Sequence, residues 1–230
     1  MIYRNEQKYI VDELTLQLMT AKLDAVMDVD RHQVNDSYRV RSMYFDTYER
    51  KSYRENDAGV EERQKFRIRV YDDPRSTIKL EIKHKLKNKN YKESCAISEE
   101  QLNAILSNSL MYDPNHPKPL RVFYLQMRLN LLRPSIIVEY QRRAYVYGIG
   151  NVRVTFDRNI AYSYAFDRFL DQKIPLTPLL EMNQHVLEVK YDKLLPEIIA
   201  QVIETGELYR RTFSKFYNSH QSSEGEGFQW

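Results

Sequence analysis

Two neighbouring stretches of alternating charged and apolar residues constrain the fold of this chain more than any other feature. In residues 63–69 and again in residues 79–87, a charged side chain occupies every second position. Because successive side chains of a β-strand point to opposite faces, each stretch predicts a strand with one charged and one apolar face. The charged positions are Arg63, Lys65, Arg67 and Arg69 in the first stretch, and Lys79, Glu81, Lys83, Lys85 and Lys87 in the second.

These matched basic faces predict a binding site for a polyanion. Like charges that face each other across a sheet repel, so a protein that aligns them needs an anionic ligand or interleaved acids. The chain as a whole carries 35 Lys and Arg against 32 Asp and Glu, a net charge of only +3. The basic site is therefore local, and no nucleic-acid partner is expected.

Glycine and cysteine usage exclude several other kinds of site. The six glycines form neither a GxGxxG nor a GxxxxGK[ST] motif, so a phosphate must be held by side chains rather than by a glycine-rich loop. The single cysteine, Cys95, excludes a disulfide framework and a cysteine-rich zinc site, and is typical of a cytoplasmic protein. No signal segment and no apolar run of 18 residues occurs, so no direct membrane insertion is expected.

The same alternation recurs along the chain and predicts an α+β fold with an antiparallel sheet of about eight strands and several helices. Predicted strands cover residues 2–11, 38–46, 60–71, 77–86, 91–97, 135–147, 152–162 and 185–191. Predicted helices cover residues 48–56, 98–106, 119–132 and 196–218, and a further helix follows Asp12 as its N-cap. The apolar stripe predicted for that last helix consists of Leu14, Leu18, Leu23 and Val26.

The domain organisation predicted from the sequence is a single domain over residues 1–218 and a polar tail over residues 219–230, since no repeat or long linker interrupts the chain. The charged strand faces allow two geometries. They are either the solvated faces of an open sheet or the lining of a closed antiparallel β-barrel. Acids recur two residues before lysines, in Glu6-x-Lys8, Glu81-x-Lys83 and Glu188-x-Lys190, and this favours the barrel.

Those three pairs, together with Arg67-x-Arg69, resemble the triphosphate tunnel metalloenzymes of the CYTH superfamily. The chain is more similar still to the catalytic VTC domain of the vacuolar transporter chaperone complex, an ATP-dependent polyphosphate polymerase. The resemblance runs in order through residues 4–9, 42–46, 65–69, 81–83, 140–145, 152–157, 187–190 and 214–216. It implies an antiparallel barrel whose basic tunnel holds triphosphate or polyphosphate.

The resemblance also implies roles for individual residues. Catalytic and phosphate-contacting side chains would be Lys8, Arg67, Arg69, Lys83, Arg142, Arg153, Lys190 and Lys215, with Ser214 joining Arg67, Arg69, Lys83 and Lys215 in binding the nucleotide phosphates. A Mn²⁺ or Mg²⁺ ion would be bound by Glu188, with Glu6 and Glu81 as further ligands and Asp157 as a helper. Arginine forks and lysine charges on rigid strands suit phosphoryl transfer, which mainly requires positioning and charge stabilisation.

Several positions leave alternatives open. Arg4 stands where many CYTH proteins carry the first acid of an ExExK motif, which favours the VTC type of site over a triphosphate hydrolase. Unless a β-bulge intervenes, strand parity allows only one of Arg142 and Arg143 to face inward, and the alignment favours Arg142. Glu188 could instead serve only as a salt-bridge partner of Lys190, and Asp46 is expected to cap a turn.

The function that the resemblance implies is a polyphosphate polymerase that moves the terminal phosphoryl group of ATP onto a polyphosphate chain. One alternative is a hydrolase of the same architecture, acting on inorganic triphosphate, polyphosphate or a nucleoside triphosphate. The other is a non-catalytic module that binds polyphosphate or nucleotide. The expected partners are ATP, triphosphate and polyphosphate, and a separate membrane protein could accompany the chain.

Overall fold

The computed structural model describes residues 5–31, 33, 35–86, 89–204 and 213–225. Among these residues the strands are β1 (Asn5–Asp12), β2 (Asp28–Val29), β3 (Tyr38–Asp46), β4 (Glu62–Tyr71), β5 (Ile78–Leu86), β6 (Lys89–Ile97), β7 (Arg133–Tyr147), β8 (Val152–Ser163), β9 (Thr177–Pro178) and β10 (Gln184–Tyr191). The helices are α1 (Glu13–Val26), α2 (Lys51–Asp57), α3 (Glu99–Leu106), α4 (Lys118–Leu129), α5 (Glu197–Ile203) and α6 (Lys215–Gly225). Arg4, His32, Lys87 and residues 205–212 lie outside the described residues.

The predicted α+β class and antiparallel sheet are confirmed. The strand order is β1-β10-β8-β7-β3-β4-β5-β6, with the two-residue strands β2 and β9 beside β7 and β8. The eight strands of that path correspond to the eight predicted from alternation. Within the described residues no recorded pairing joins β6 to β1, so hydrogen-bonded strands do not close the sheet into a barrel.

The chain divides into two compact units, each built from three segments. The first unit comprises Met1–Arg39, Tyr140–Ile160 and Pro178–Ser214. The second comprises Val40–Glu139, Ala161–Thr177 and Lys215–Trp230. Strands β3, β7, β8 and β9 contribute residues to both units.

In the second unit, the apolar faces of β3, β4 and β5 form the core. Met43, Phe45, Ile68 and Leu80 are fully or almost fully buried, and they pack in one cluster with Phe123 of α4. Helix α3 adds to this cluster, and it begins with a capping box in which Ser98 and Gln101 bond each other's backbone N–H groups. The opposite face of these strands carries the charged residues.

In the first unit, α1 and α5 pack on the apolar face of β1, β8 and β10. Asp12 caps α1 as predicted, and its carboxylate accepts a hydrogen bond from Thr15 N at 2.7 Å. The predicted apolar stripe of α1 is wrong at Leu14 and Leu18, which are 67% and 51% exposed, while Leu23 is buried as predicted. The buried positions are Leu16, Met19 and Leu23, which lie at i, i+3 and i+7 on the adjacent helix face.

The end of the chain also differs from the prediction. Residues 196–218 do not form one helix, because α5 ends at Ile203 and α6 begins at Lys215. Ser219 and His220, predicted to open a polar tail, instead lie within α6 and are buried. The predicted tail therefore begins with residues that contribute to the packing of the second unit.

Candidate functional site

The strand register places the predicted basic residues of the second unit on one face. Arg67 of β4 lies opposite Glu81 of β5, Lys65 lies opposite Lys83, and Arg69 lies opposite Lys79. Directly opposed residues of an antiparallel pair share a face, so the predicted matching of the two basic strands is confirmed. Among the ionisable residues of these three pairs, Glu81 is the only acid.

Strand β3 continues this face with two hydroxyl side chains. Ser42 lies opposite Arg69 and Tyr44 lies opposite Arg67. Arg69 Nε donates a hydrogen bond to Ser42 Oγ at 2.9 Å, and Arg67 Nη1 donates to the Tyr44 hydroxyl at 3.4 Å. Each arginine is thus contacted from β3 by the residue directly opposite it.

The carboxylate of Glu81 is enclosed by cations. Its Oε2 accepts from Arg67 Nε at 2.6 Å, and its Oε1 accepts from Lys92 Nζ of β6 at 2.6 Å. Burial would raise the pKa of Glu81, but Arg67, Arg69 and Lys92 hold it well below its usual value. Both oxygens are engaged, so this residue acts as a counter-ion here, and its predicted role as a metal ligand would require Arg67 or Lys92 to move.

A row of three lysines crosses the neighbouring strands. Lys65 of β4 lies opposite Lys83 of β5, which in turn lies opposite Lys92 of β6. Lys65 Nζ also donates to Asn56 Oδ1 at 2.8 Å and lies 5.1 Å above the ring of Phe216. Like charges in direct cross-strand positions destabilise a sheet, which makes this row a site where an anion would be stabilising.

We call the cations Lys65, Arg67, Arg69, Lys83 and Lys92 the basic cluster of the second unit. Lys215, the first residue of α6, also belongs to this cluster. Its charge acts on the Tyr44 hydroxyl together with those of Arg67 and Arg69. The next residue, Phe216, packs against Tyr44 with ring centroids 5.3 Å apart. Ser214 directly precedes the helix in the sequence and lies in the first unit.

The first unit holds a second charged face, in which acids and bases alternate across strands. Lys8 of β1 lies opposite Glu188 of β10, and Glu6 lies opposite Lys190. Lys190 is also opposite Arg153 of β8. The register therefore brings together on one face five of the predicted site residues, namely Lys8, Glu188, Glu6, Lys190 and Arg153.

Lysines bridge the two acids of this face. Lys8 Nζ lies 2.7 Å from Glu6 Oε1, while Lys190 Nζ bonds Glu188 and lies 3.8 Å from Glu6 Oε2. Partial loss of solvent around Lys190, whose side chain is 32% exposed, lowers its pKa to about 7. Glu6 opposes that change in pKa, whereas Arg142 and Lys8 add to it.

Arg142 and Arg143 have different surroundings. Arg142 Nε and Nη2 donate to the two oxygens of the buried Asp157 at 2.6 and 2.7 Å. Burial alone would lower the pKa of Arg142, but Asp157 and Tyr140 raise it well above its usual value. Arg143 instead pairs with Asp24 of α1 at 2.8 Å. Arg142 thus joins the charged face through Asp157, while Arg143 contacts the helix.

Arg153 depends on two residues that the sequence analysis did not single out. Its Nη2 lies 2.9 Å from Asp30 Oδ2 and donates to the Tyr38 hydroxyl at 3.2 Å. Asp30 is only 5% exposed, so this carboxylate is a buried counter-ion. Both partners lie more than 100 residues from Arg153 in the sequence, and no local pattern indicates them.

The donor set for a metal ion is small. Among the described residues, no group of three or more His, Cys, Asp or Glu side chains could hold one. Glu6 and Glu188 are diagonal neighbours on adjacent strands, with Cβ atoms about 7 Å apart in such an arrangement. The Lys190 ammonium already lies against both carboxylates, so the pair accommodates a positive charge. Mg²⁺ and Mn²⁺ bind through one or two carboxylates when water and phosphate oxygens complete the shell, and this pair fits that requirement.

Asp46 has the structural role predicted for it. Its Oδ1 accepts from the backbone N–H groups of Thr47 and Ser52, both at 2.8 Å, and its Oδ2 accepts from Tyr53 N at 3.0 Å. These bonds close the turn after β3 and satisfy the first amides of α2. Both carboxylate oxygens of Asp46 are therefore engaged in capping.

The sequence matches a known protein-family model. The model described as VTC domain matches residues 3–223. The chain belongs to the VTC domain family. No curated protein sequence matches this VTC domain at a significant level.

Solved structures share the fold of the VTC domain at low sequence identity. A protein of Bacillus halodurans described as a "putative adenylate cyclase" is 13% identical, with a TM-score of 0.52, over 88% of this chain and 87% of that one. A Vibrio parahaemolyticus protein with the same description is 11% identical, with a TM-score of 0.53, over 94% and 97% of the two chains. In the described part of this VTC domain, none of the helices has the length and apolar character that a membrane crossing requires.

Proposed function

We propose that this VTC domain is a metal-dependent polyphosphate polymerase that uses ATP. A terminal oxygen of the polyphosphate chain attacks the γ-phosphorus of ATP, the bond from that phosphorus to the β,γ-bridging oxygen breaks, and ADP leaves with the electron pair. The observation that carries the proposal is the row of cations along β4, reinforced by lysines of β5 and β6. Family membership supports the same reaction.

The length of the cation row favours a polymer over a short substrate. Arg63, Lys65, Arg67 and Arg69 occupy alternate positions of one strand. Six residues of antiparallel strand span about 20 Å, which is longer than a triphosphate. A chain of phosphates could engage several of these cations at once.

The arginines and lysines supply the charge stabilisation that phosphoryl transfer needs. In the second unit, Arg67, Arg69, Lys83 and Lys215 would bind phosphate oxygens. In the first unit, Lys8, Arg142 and Arg153 would do so, and Lys190 would hold the two acids in place. Because the buried guanidinium groups are fixed by Glu81 and Asp157, they need little reorganisation when charge develops on the transferred group.

Glu188 and Glu6 are the residues that would hold Mn²⁺ or Mg²⁺. When bound, such an ion neutralises phosphate oxygens and orients them for in-line displacement. The residues of the chain would bind the phosphates, align them and position the two carboxylates beside Lys8 and Lys190.

Three other functions would use many of the same residues. A hydrolase would use the same cations with water as acceptor, a cyclase activity is suggested by the description of the structural neighbours, and a binding module would lack turnover. We place polymerase first because family membership supports it and because a row of cations longer than a triphosphate has no use in hydrolysis of a short substrate. A polyphosphate hydrolase would also use the row, and the products formed from ATP distinguish it from a polymerase. Cytoplasmic location and a separate membrane partner remain predictions from the sequence.

Phosphorus NMR of the purified protein with ATP and Mn²⁺ or Mg²⁺ tests the proposal. We expect signals of chain-internal phosphates together with ADP, and their loss in Glu188→Gln. The matched control is Glu197→Gln, at an exposed position at the start of α5, and it should keep full activity. Orthophosphate alone would identify a hydrolase, cyclic AMP with pyrophosphate would identify a cyclase, and binding without turnover would identify a module.

A further inference from the structure

Tyr44 occupies the centre of the basic cluster of the second unit. It is only 8% exposed and lies on β3 directly opposite Arg67. The Arg67 guanidinium lies 6.0 Å from its ring centroid, and Phe216 packs on the ring from α6. The side chain is therefore fixed by aromatic packing, while its hydroxyl lies among cations.

The electrostatic environment of this hydroxyl is strongly positive. Burial would raise the pKa of a tyrosine, yet the pKa of Tyr44 lies below its ordinary value because Arg67, Arg69 and Lys215 favour a negative oxygen. The chain has 18 tyrosines, and the other described tyrosines whose pKa is displaced all show the opposite direction. The surroundings of the Tyr44 hydroxyl thus favour a negative charge.

Among the described residues, the Tyr44 hydroxyl accepts a hydrogen bond but has no acceptor for its own hydrogen. Its oxygen accepts from Arg67 Nη1 at 3.4 Å. A phenolic group can also donate its own hydrogen, and within the described residues no acceptor is recorded for it. An anion held by the three neighbouring cations would provide that acceptor, in a charge-assisted bond that is stronger than a neutral one.

We propose that Tyr44 is a phosphate-binding residue whose hydroxyl accepts from Arg67 and donates its own hydrogen to a phosphate oxygen of the substrate. The inference rests on the proposed function, since Tyr44 lies on the face that is proposed to bind the substrate phosphates. A neutral donor at this position adds a bond to phosphate without adding a further like charge to a crowded face. It also couples the orientation of Arg67 to the presence of the ligand.

The test compares Tyr44→Phe with Tyr145→Phe in the full chain. Tyr145 is a buried tyrosine of the first unit whose hydroxyl donates to Asp24 at 2.7 Å, so its replacement also removes one hydroxyl. The probe is tripolyphosphate, titrated without metal by calorimetry. We expect Tyr44→Phe to weaken binding about 5- to 20-fold with an unchanged fold, and Tyr145→Phe to leave binding unchanged.

A direct readout separates donation to phosphate from mere support of Arg67. In the tripolyphosphate complex, a long-range correlation between a tyrosine hydroxyl proton and phosphorus should appear and should vanish in Tyr44→Phe. Equal affinity of Tyr44→Phe and wild type, or loss of affinity without that correlation, would overturn the role. Absent polymer synthesis alongside intact, Tyr44-dependent binding would overturn the polymerase proposal only. No binding of tripolyphosphate to the wild type would overturn both.

Discussion

Arg67 Nε donates to Glu81 Oε2 at 2.6 Å, across the pair of strands in which the two residues lie directly opposite each other. Both side chains are buried, with exposures of 5% and 1%. Such a pair is costly to break, because removal of one partner leaves the other as an uncompensated buried charge. The pair therefore fixes Arg67 in place before any phosphate arrives.

Glu81→Gln should strongly destabilise the protein without ligand. Arg67 and Lys92 would lose their shared counter-ion, and the expected loss is about 3–5 kcal/mol of the free energy of unfolding. Tripolyphosphate should restore much of that loss, because an anion bound to these cations replaces the missing charge. Urea denaturation with and without tripolyphosphate measures both effects.

The control for this variant is Glu93→Gln on the neighbouring strand β6. Glu93 pairs with Lys118 at 2.7 Å, and its side chain is 27% exposed, so its replacement should cost about 1 kcal/mol or less. Equal destabilisation by the two variants would show that Glu81 is not a special counter-ion. So would a Glu81→Gln protein whose stability does not respond to tripolyphosphate.

The adjacent residues Arg142 and Arg143 offer a matched pair of substitutions. Arg142→Ala should cost about 3–5 kcal/mol of unfolding free energy, since Asp157 would be left buried without its bidentate partner. Arg143→Ala should cost about 1 kcal/mol or less, because its partner Asp24 is 43% exposed. Thermal denaturation and phosphorus NMR of ATP turnover check stability and activity together.

We expect turnover to be lost in Arg142→Ala and nearly retained in Arg143→Ala. A stable but inactive Arg143→Ala would contradict our proposal, because it would show that Arg143 is needed for turnover. To separate unfolding from loss of function, turnover should be measured at a temperature at which both variants give the circular dichroism of the wild type.

The charged faces could be predicted from the sequence because alternation is a local property. Lys83 and Glu81 fall on one face of β5 by parity alone, and Arg67 and Arg69 do so on β4. That the two strands are neighbours also follows from the short turn between them. The sheet and most of the residues assigned to the candidate site were therefore accessible before the structure.

The partners of those residues were not accessible, because they come from distant parts of the chain. Asp30 and Tyr38 reach Arg153 only through the packing of the first unit. For α1, several apolar residues compete for the buried side, and Leu14 and Leu18 are equally consistent with helical spacing. Only contact with α5 and the sheet selects Leu16 and Met19.

Ser42→Ala should weaken phosphate binding through Arg69. The Ser42 hydroxyl accepts from Arg69 Nε at 2.9 Å, and its loss would leave a buried guanidinium N–H without that acceptor. We expect about 3- to 10-fold weaker binding of tripolyphosphate, on the scale of one hydrogen bond to a charged group. Titration calorimetry at two salt concentrations measures it.

Ser94→Ala is the corresponding control. Ser94 of β6 lies opposite Glu81 and so shares the face, yet the described residues show no hydrogen bond from it to Arg67 or Arg69. Its replacement should leave affinity within a factor of two. If Ser42→Ala bound tripolyphosphate as tightly as Ser94→Ala, Arg69 would need no orientation from β3.

His220 should make the stability of the protein depend on pH between about 4 and 6.5. Its Nε2 lies 2.8 Å from Ser135 Oγ, and the residue is 1% exposed within α6. Burial, with a smaller contribution from Arg50, lowers the pKa of His220 to about 4, against about 6.5 in the unfolded chain. The unfolded state thus binds the extra proton first as the pH falls.

The stabilisation linked to His220 is therefore fully present above about pH 6.5 and declines as the pH falls towards 4, by about 3 kcal/mol at most. His220→Gln removes this titration, so its unfolding free energy should change less than that of the wild type over the same range. His116→Gln, at a partly exposed position, should follow the wild type. Urea denaturation at half-unit pH steps gives the curves, and parallel wild-type and His220→Gln curves would show that a protonated His220 is tolerated where α6 packs. Since α6 begins with Lys215, acid loss of this packing should also weaken tripolyphosphate binding in the wild type before the protein unfolds.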